Sequence, residues 1–267
     1  MIRVVIIGAV GRMGRALVRT ASEFPDLRIT GAVDSPKSPF LGDDAGVIAR
    51  REALGVKITS DLPQALRDSD VAIDFSSAAA THANLTACRQ ARKALFVGTT
   101  GLDADVVPEL EAAAREIPLL VAPNTSIGVT LLIELVREAA QALPPEFDIE
   151  IVESHHRLKR DAPSGTALAL GEAAADGRNQ RLDSVAVVGR HGAAERKDGQ
   201  IGFAVVRGGD IVGEHTVLFA GQSERLQLGH EATDRIIFAR GALRGASWLA
   251  EQPPGRYFMR DVLGYKT

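Results

Sequence analysis

A single cysteine, Cys88, stands in 267 residues, which excludes an internal disulfide and any cysteine-built zinc cluster. Such sparing use of thiols fits a reducing compartment, and the expectation is a cytoplasmic protein. No charge of one sign dominates: 31 Lys and Arg face 34 Asp and Glu, a formal net charge of -3. The chain therefore lacks the global basic bias that favours nucleic acid or an anionic membrane surface. No apolar run approaches the length of a membrane-spanning helix. Met1–Ile7 is apolar but runs straight into glycines, with no basic segment before it and no cleavage-type site after it. A buried first strand is expected there rather than a secretory signal. Internal repeats and low-complexity segments are missing too, so a repeat array is excluded.

What is present reads as an ordinary globular chain, 45% hydrophobic and 24% charged. In the first half, short β-branched runs alternate with Ala-rich stretches. Strands are expected at Arg3–Ile7, Arg28–Val33, Val56–Ile58, Asp70–Phe75, Ala94–Val97 and Leu119–Ala122. Helices are expected at Arg12–Phe24, Ala78–Ala91, Asp103–Arg115 and Ile127–Ala142. Such alternation predicts parallel pairing through right-handed crossovers, hence a Rossmann-type, doubly wound parallel sheet. The pattern then changes. After a strand at Phe147–Glu153 and a helix at Gly165–Ala175, the runs Val185–Val188, Gly202–Val206, Glu214–Phe219 and Leu226–Leu228 are separated by turns such as Arg207-Gly208-Gly209-Asp210. They predict a C-terminal α+β domain on a mixed or antiparallel sheet. A last helix is expected at Thr233–Leu249, ended by Gln252-Pro253-Pro254-Gly255. The α/β chain thus divides into a dinucleotide-binding domain of residues 1–126 and a substrate-binding and oligomerisation domain of residues 127–234. Residues 235–267 are expected to pack back on the first.

Gly8-Ala9-Val10-Gly11-Arg12-Met13-Gly14 lies between a buried strand and a helix, the setting that a dinucleotide-binding turn requires. Glycines permit a tight turn and close approach to a pyrophosphate, and the following helix offers unpaired amides and its positive dipole end. The GxxGxxG spacing is a variant and weak alone. Asp34, at the end of the second strand, strengthens it, because a carboxylate there accepts hydrogen bonds from the adenosine ribose hydroxyls. The same carboxylate repels a 2′-phosphate unless Arg12 or Lys37 compensates, so NADH is favoured over NADPH. Two further strand ends, Gly98-Thr99-Thr100-Gly101 and Ala122-Pro123-Asn124-Thr125-Ser126, suit the nicotinamide and its ribose.

The richest stretch is Glu153-Ser154-His155-His156-Arg157-Leu158-Lys159-Arg160-Asp161-Ala162-Pro163-Ser164-Gly165-Thr166. The helix opening at Ser164-Gly165-Thr166 joins its N-terminal amides to two hydroxyls, an anion site. Lys159, Arg157 and Arg160 can neutralise carboxylates. His155 or His156 can donate a proton near neutral pH. A lysine beside the histidine is expected to lower its pKa. Adjacent histidines on a strand point to opposite faces, and no further ligand completes a familiar set, so no metal is expected.

This stretch resembles the dihydrodipicolinate reductase family, whose E-x-H-H-x-x-K-x-D-x-P-S-G-T pattern it fits in full. Further family-like pieces follow in order: the first glycine turn, Asp74-Phe75-Ser76, Gly98–Gly101, Asn124–Val129, Gly209–His215 and Met259–Leu263. The resemblance implies reduction of 4-hydroxy-tetrahydrodipicolinate to tetrahydrodipicolinate with NADH or NADPH, in lysine and diaminopimelate biosynthesis, by a homotetramer. It implies His155 as the proton donor and Lys159 as its partner, a proton donor or carboxylate anchor. His156, Ser164, Gly165 and Thr166 would grip the substrate carboxylates. Gly8, Ala9, Val10, Gly11, Arg12, Met13, Asp34, Gly98, Thr99, Thr100, Ala122, Pro123, Asn124 and Thr125 would hold the cofactor, with Arg235 approaching it. Two positions depart from the family pattern: Ser35 follows Asp34 where many members carry Arg, and Thr125 replaces an aromatic residue. Two alternatives stay open on the residues alone. One is a two-domain dehydrogenase acting on aspartate or homoserine. The other is a dinucleotide-binding redox sensor, which would normally carry a DNA-reading module that this chain does not show.

Overall fold

Val4 to Ile7 are all buried, and their side chains feed two different cores: Val4 and Ile6 point to one, Val5 and Ile7 to the other. A strand covered on both faces needs such an unbroken apolar run. It anchors the computed structural model, which describes residues 1–103, 106–193 and 195–265. The chain divides into two compact units, one of residues 1–127 together with those from 236 onward, the other of residues 128–235.

In the first unit β1 (Ile2–Ile7), α1 (Arg12–Thr20) and β2 (Leu27–Val33) are followed by α2 (Ala45–Ile48), β3 (Ile58–Thr59), α3 (Leu62–Leu66) and β4 (Val71–Asp74). Then come α4 (Ala78–Ala91), β5 (Ala94–Val97), α5 (Val106–Ala114) and β6 (Pro118–Val121). From α6 (Ile127–Ala142) the chain enters the second unit: β7 (Asp148–His155), α7 (Gly165–Gly177), α8 (Leu182–Val185), β8 (Ala186–Val188), β9 (Ile201–Arg207), β10 (Gly213–Ala220) and β11 (Arg225–Ala232). It returns through α9 (Ile236–Leu249), β12 (Gly255–Tyr257) and α10 (Met259–Val262).

The first sheet has seven strands in the order β12-β6-β5-β4-β1-β2-β3, every pair parallel. Strand order reverses between β1 and β4, and in such sheets ligands bind outside the carboxyl ends at that point. One face is covered by α1 and α9, the other by α3, α4 and α5. α9 lies close to the sheet because it carries glycines where it touches: a Cβ on Gly241 would collide with the Thr125 carbonyl, and one on Gly245 would lie 2.6 Å from the Phe96 ring. The second sheet is mixed, in the order β11-β10-β7-β9-β8, with β7–β9 and β8–β9 parallel and the other pairs antiparallel. Helices α6 and α7 bury its inner face on Ile149, Ile151, Phe203, Val217 and Phe219. No helix among the described residues is long and apolar enough to cross a membrane.

Several boundaries differ from the sequence expectation. The helix from Arg12 stops at Thr20 and closes with one 3-10 turn, because Phe24 precedes Pro25 and takes an extended conformation. The helix expected from Asp103 is observed from Val106 to Ala114, and residues 104 and 105 lie outside the described ones. The strand expected at Leu226–Leu228 runs on to Ala232, since pairing with β10 outweighs the poor strand propensity of Gly229 and Glu231. That pairing delays α9 to Ile236. β12, hidden behind two prolines, is a three-residue edge strand beside β6.

Candidate active site

In the first unit, the carboxyl ends of β1, β2 and β4 open on a cavity of about 490 Å³, lined by Gly8, Val10, Gly11, Asp34, Ser76 and Asn84 among others. Gly8 has φ +81, and a Cβ there would lie 2.6 Å from the Phe75 carbonyl oxygen. A Cβ on Gly14 would collide with the backbone of Gly8 and Ala9, so the third glycine lets α1 start against the turn. Gly11 is the N-cap of α1 and has no side chain to satisfy the first-turn amides. These are the features a pyrophosphate needs: room at the backbone and unclaimed donors. The Asp34 carboxylate accepts from the Val10 amide at 3.0 Å and from the Ser35 amide at 2.8 Å, fastening the glycine turn to β2 at the cavity wall.

Other predicted cofactor residues are placed differently. Ala9 is a core side chain, Met13 packs against the same core, and Arg12 is exposed. Gly98 is small because a Cβ would collide with the Phe75 ring, and the Thr99 hydroxyl donates to Asp74 at 3.3 Å. Ala122 is buried, Asn124 accepts from the Ser126 amide at 2.9 Å, and Thr125 donates its hydroxyl to the Phe238 carbonyl at 2.7 Å. Thr100 and Pro123 are exposed. The turns at 98–100 and 122–125 therefore stand at the same sheet edge but outside the cavity lining. Sequence reasoning quoted Asp74-Phe75-Ser76 without giving it a role. Asp74 is fully buried and accepts from the Ser76 amide at 2.8 Å, the Ser76 hydroxyl at 2.6 Å and the Asn84 amide at 3.0 Å. It thereby holds Ser76 and Asn84, two of the polar side chains that line the cavity.

In the second unit, alternation along β7 puts Ile149, Ile151, Glu153 and His155 on the buried face. The strand thus ends by turning a carboxylate and an imidazole into the same interior. Glu153 Oε2 accepts from His155 Nδ1 at 2.6 Å, and Glu153 Oε1 accepts from the Ser164 amide at 2.9 Å. Arg207, at the end of β9, donates to both carboxylate oxygens at 2.7 Å. Ser164 is the N-cap of α7, its Oγ accepting from the Ala167 amide at 3.2 Å and lying 3.0 Å from His215 Nε2. His155 and His215 meet edge to face, ring centroids 5.1 Å apart. Lys159 pairs with Asp161 at 2.8 Å and is partly exposed. Gly165 is exposed and Thr166 half-buried at the start of α7.

His156, next along from His155, leaves the strand and meets Arg235 at 3.3 Å. Arg235, expected beside the cofactor, is here a neighbour of the substrate-type cluster. The two adjacent histidines thus have different neighbours, Glu153 and His215 for His155 and Arg235 for His156.

Burial lowers the His155 pKa most; the Glu153 carboxylate opposes this, and Lys159 and Arg207 add smaller decreases. The expected direction holds, but desolvation rather than the lysine is its main cause. His215 is pushed down to about 4, chiefly by burial and then by His155, and is neutral near pH 7. Burial would raise the Glu153 carboxyl, yet hydrogen bonds from Arg207, His155 and the Ser164 amide carry it below its ordinary value. Lys159 holds the Asp161 carboxyl down in the same way. Three residues of this cluster, Glu153, Arg207 and His215, were given no role by the sequence reading. Glu153 was legible, two residues before His155 on one strand. Arg207 and His215 enter only through pairing of β9 and β10 with β7.

A doubly wound sheet with a glycine turn at its switch point, and a separate unit pairing a buried imidazole with a serine-capped helix start, define a nicotinamide-dependent oxidoreductase of two-unit build. Within that class two family models fit almost end to end: "Dihydrodipicolinate reductase, N-terminus" over residues 2–125 and "Dihydrodipicolinate reductase, C-terminus" over residues 128–263. The chain belongs to the dihydrodipicolinate reductase family. It is 51% identical over 263 residues to the 4-hydroxy-tetrahydrodipicolinate reductase of Alkalilimnicola ehrlichii, covering 98% of each chain. It is 48% identical over 267 residues to the enzyme of that name from Anaeromyxobacter dehalogenans, covering 100% of this chain and 99% of the other. Its fold is also that of a dipicolinate-bound dihydrodipicolinate reductase from Paenisporosarcina sp. TG-14, with a TM-score of 0.78, 24% identity and 97% coverage of both chains.

Proposed function

We propose that this chain reduces 4-hydroxy-tetrahydrodipicolinate to tetrahydrodipicolinate at the expense of a reduced nicotinamide dinucleotide, in lysine and diaminopimelate biosynthesis. The carrying observation is the cluster at the end of β7, where His155 sits beside the N-cap of α7 with Lys159 in the adjoining loop. The first unit holds the nucleotide through Gly8, Val10, Gly11 and Asp34, and the second holds the dicarboxylate. When bound, the dihydronicotinamide supplies the hydride. The start of α7 receives one carboxylate on the amides of Gly165 and Thr166 and the hydroxyls of Ser164 and Thr166, the Ser164 amide being held by Glu153. Lys159 neutralises a carboxylate by exchanging its Asp161 partner for substrate. As negative charge develops towards the ring nitrogen, imidazolium His155 stabilises it and delivers the proton. The lowered His155 pKa has a definite sign: the acid form is lost as pH rises through a value below the ordinary histidine range, so turnover falls from there. The experiment is direct. Protein mixed with NADH and freshly generated substrate should consume the nicotinamide absorbance; nucleotide binding without consumption would favour the sensor reading and reject this one.

NADH is the favoured nucleotide, because Asp34 presents a carboxylate where a 2′-phosphate would sit and Ser35 brings no cation. Asp34→Ser is expected to raise the NADPH-to-NADH ratio of kcat/KM about tenfold, a change of ~1.4 kcal/mol. The ratio is the readout, since losing the tie to Val10 weakens both nucleotides. A ratio equal to that of the parent would reject the role of Asp34.

The protein is cytoplasmic and a homotetramer in this reading. The outer face of the second sheet, opposite α6 and α7, exposes Val152 at 39% and Val206 at 47%, an apolar surface suited to association. Val152→Glu with Val206→Glu should reduce the mass seen by light scattering and leave the circular dichroism intact. An unchanged tetramer would place the interface elsewhere.

A further inference from the structure

We propose that Glu153 is a positioning residue that fixes the proton-bearing nitrogen of His155 and the start of α7 in one frame, with Arg207 as its clamp. This rests on the reading of His155 as proton donor. Glu153 is 1% exposed, and each of its oxygens takes two donors. Oε2 receives His155 Nδ1 at 2.6 Å and Arg207 Nη1 at 2.7 Å; Oε1 receives the Ser164 amide at 2.9 Å and Arg207 Nη2 at 2.7 Å. An ionised carboxylate is acceptor only, so Nδ1 must carry a hydrogen. Nε2 is then the nitrogen that gains and loses the working proton. Gly213 leaves that nitrogen its space: a Cβ there would lie 3.0 Å from Nε2.

The frame extends further. Arg207 Nη2 also donates to the Asp161 carbonyl at 2.7 Å, which ties down the loop carrying Lys159. One buried ion pair therefore connects the acid, the helix start and the lysine loop. The charged and titratable groups facing His155 are Glu153 on β7, Arg207 from β9, His215 from β10 and Lys159 from the loop. Among these Glu153 is the only anion, and it alone favours the imidazolium against burial and two cations. Removing its charge while keeping its shape should make His155 a weaker base and blur its tautomer.

Nitrogen-15 spectra of the full-length protein, with His155 assigned by the signals missing from His155→Gln, should show the neutral ring protonated at Nδ1. A ring protonated at Nε2 would overturn the proposal, and this measurement does not depend on turnover. Glu153→Gln should lower kcat about tenfold to a hundredfold with the nucleotide KM unchanged. It should also move the high-pH fall of kcat and the His155 titration down by about one pH unit. Lower turnover with both titrations unmoved would mean a merely structural ion pair, and the proposal fails. Should His155→Gln itself keep full turnover, the donor reading falls, whatever the spectra show.

Discussion

Replacing His155 by glutamine is expected to lower kcat by about 10²–10⁴-fold, the range removed with a positioned general acid, while the KM values for nucleotide and substrate change little. Glutamine fills the imidazole's place and still donates to Glu153, so the fold should persist. What it lacks is a proton that leaves near neutral pH. Burial sets this group apart from a surface histidine: desolvation depresses its pKa, and Glu153 returns part of that loss. In the parent enzyme, kcat should therefore decline with pH from below the ordinary histidine value. In the variant that decline should be absent. Steady-state rates across pH 5 to 9 check both statements. Parent-like turnover in the variant, or a variant that keeps the parent's pH profile, would remove His155 from the proton-donor role.

Lys159→Met is expected to act on binding instead. Lys159 is 21% exposed and already paired with Asp161, so it exchanges one carboxylate for another when a dianion arrives. Truncating one partner of a desolvated charge pair costs about 2–5 kcal/mol, which places kcat/KM for the substrate lower by roughly 30-fold to 4,000-fold. Most of that should appear in KM, and Lys159→Arg should restore part of it by keeping the charge. If Lys159 were the proton donor, the split would invert: kcat would fall at unchanged KM and arginine would not help. Initial rates at saturating and limiting substrate separate the two cases.

How far the sequence spoke depended on how local each feature is. The parallel sheet was legible because Val4–Ile7 and its counterparts are unbroken apolar runs, each too short for a buried helix and flanked by turn residues. The glycine turn was legible because the positive φ of Gly8 and the contact of Gly14 with the Gly8 and Ala9 backbone arise within one strand–helix connection. His155 and Ser164 were legible because a strand end and a helix start lie within one short stretch of sequence. Arg207 was not, since its place opposite His155 follows from parallel pairing of β7 with β9, whose register is set across half a hundred residues. The Thr125 and Thr99 hydroxyls are committed to Phe238 and Asp74, partners that only the fold brings near. β12 was hidden for another reason: an edge strand needs too few residues to leave a periodic pattern.

The first unit is discontinuous in the chain, and that has a consequence for biogenesis. Ala239, Leu243, Ala246 and Leu249 on α9 complete the core over one face of the parallel sheet, and β12 completes its edge. A ribosome delivers these segments only after the whole of the second unit. A nascent chain thus carries a nucleotide fold with one apolar side only partly covered, by α1 without α9, while the later-encoded unit already has all of its own core in hand. The order of maturation is then the reverse of the order of translation, and a stalled or truncated chain would present that half-covered side to chaperones or proteases.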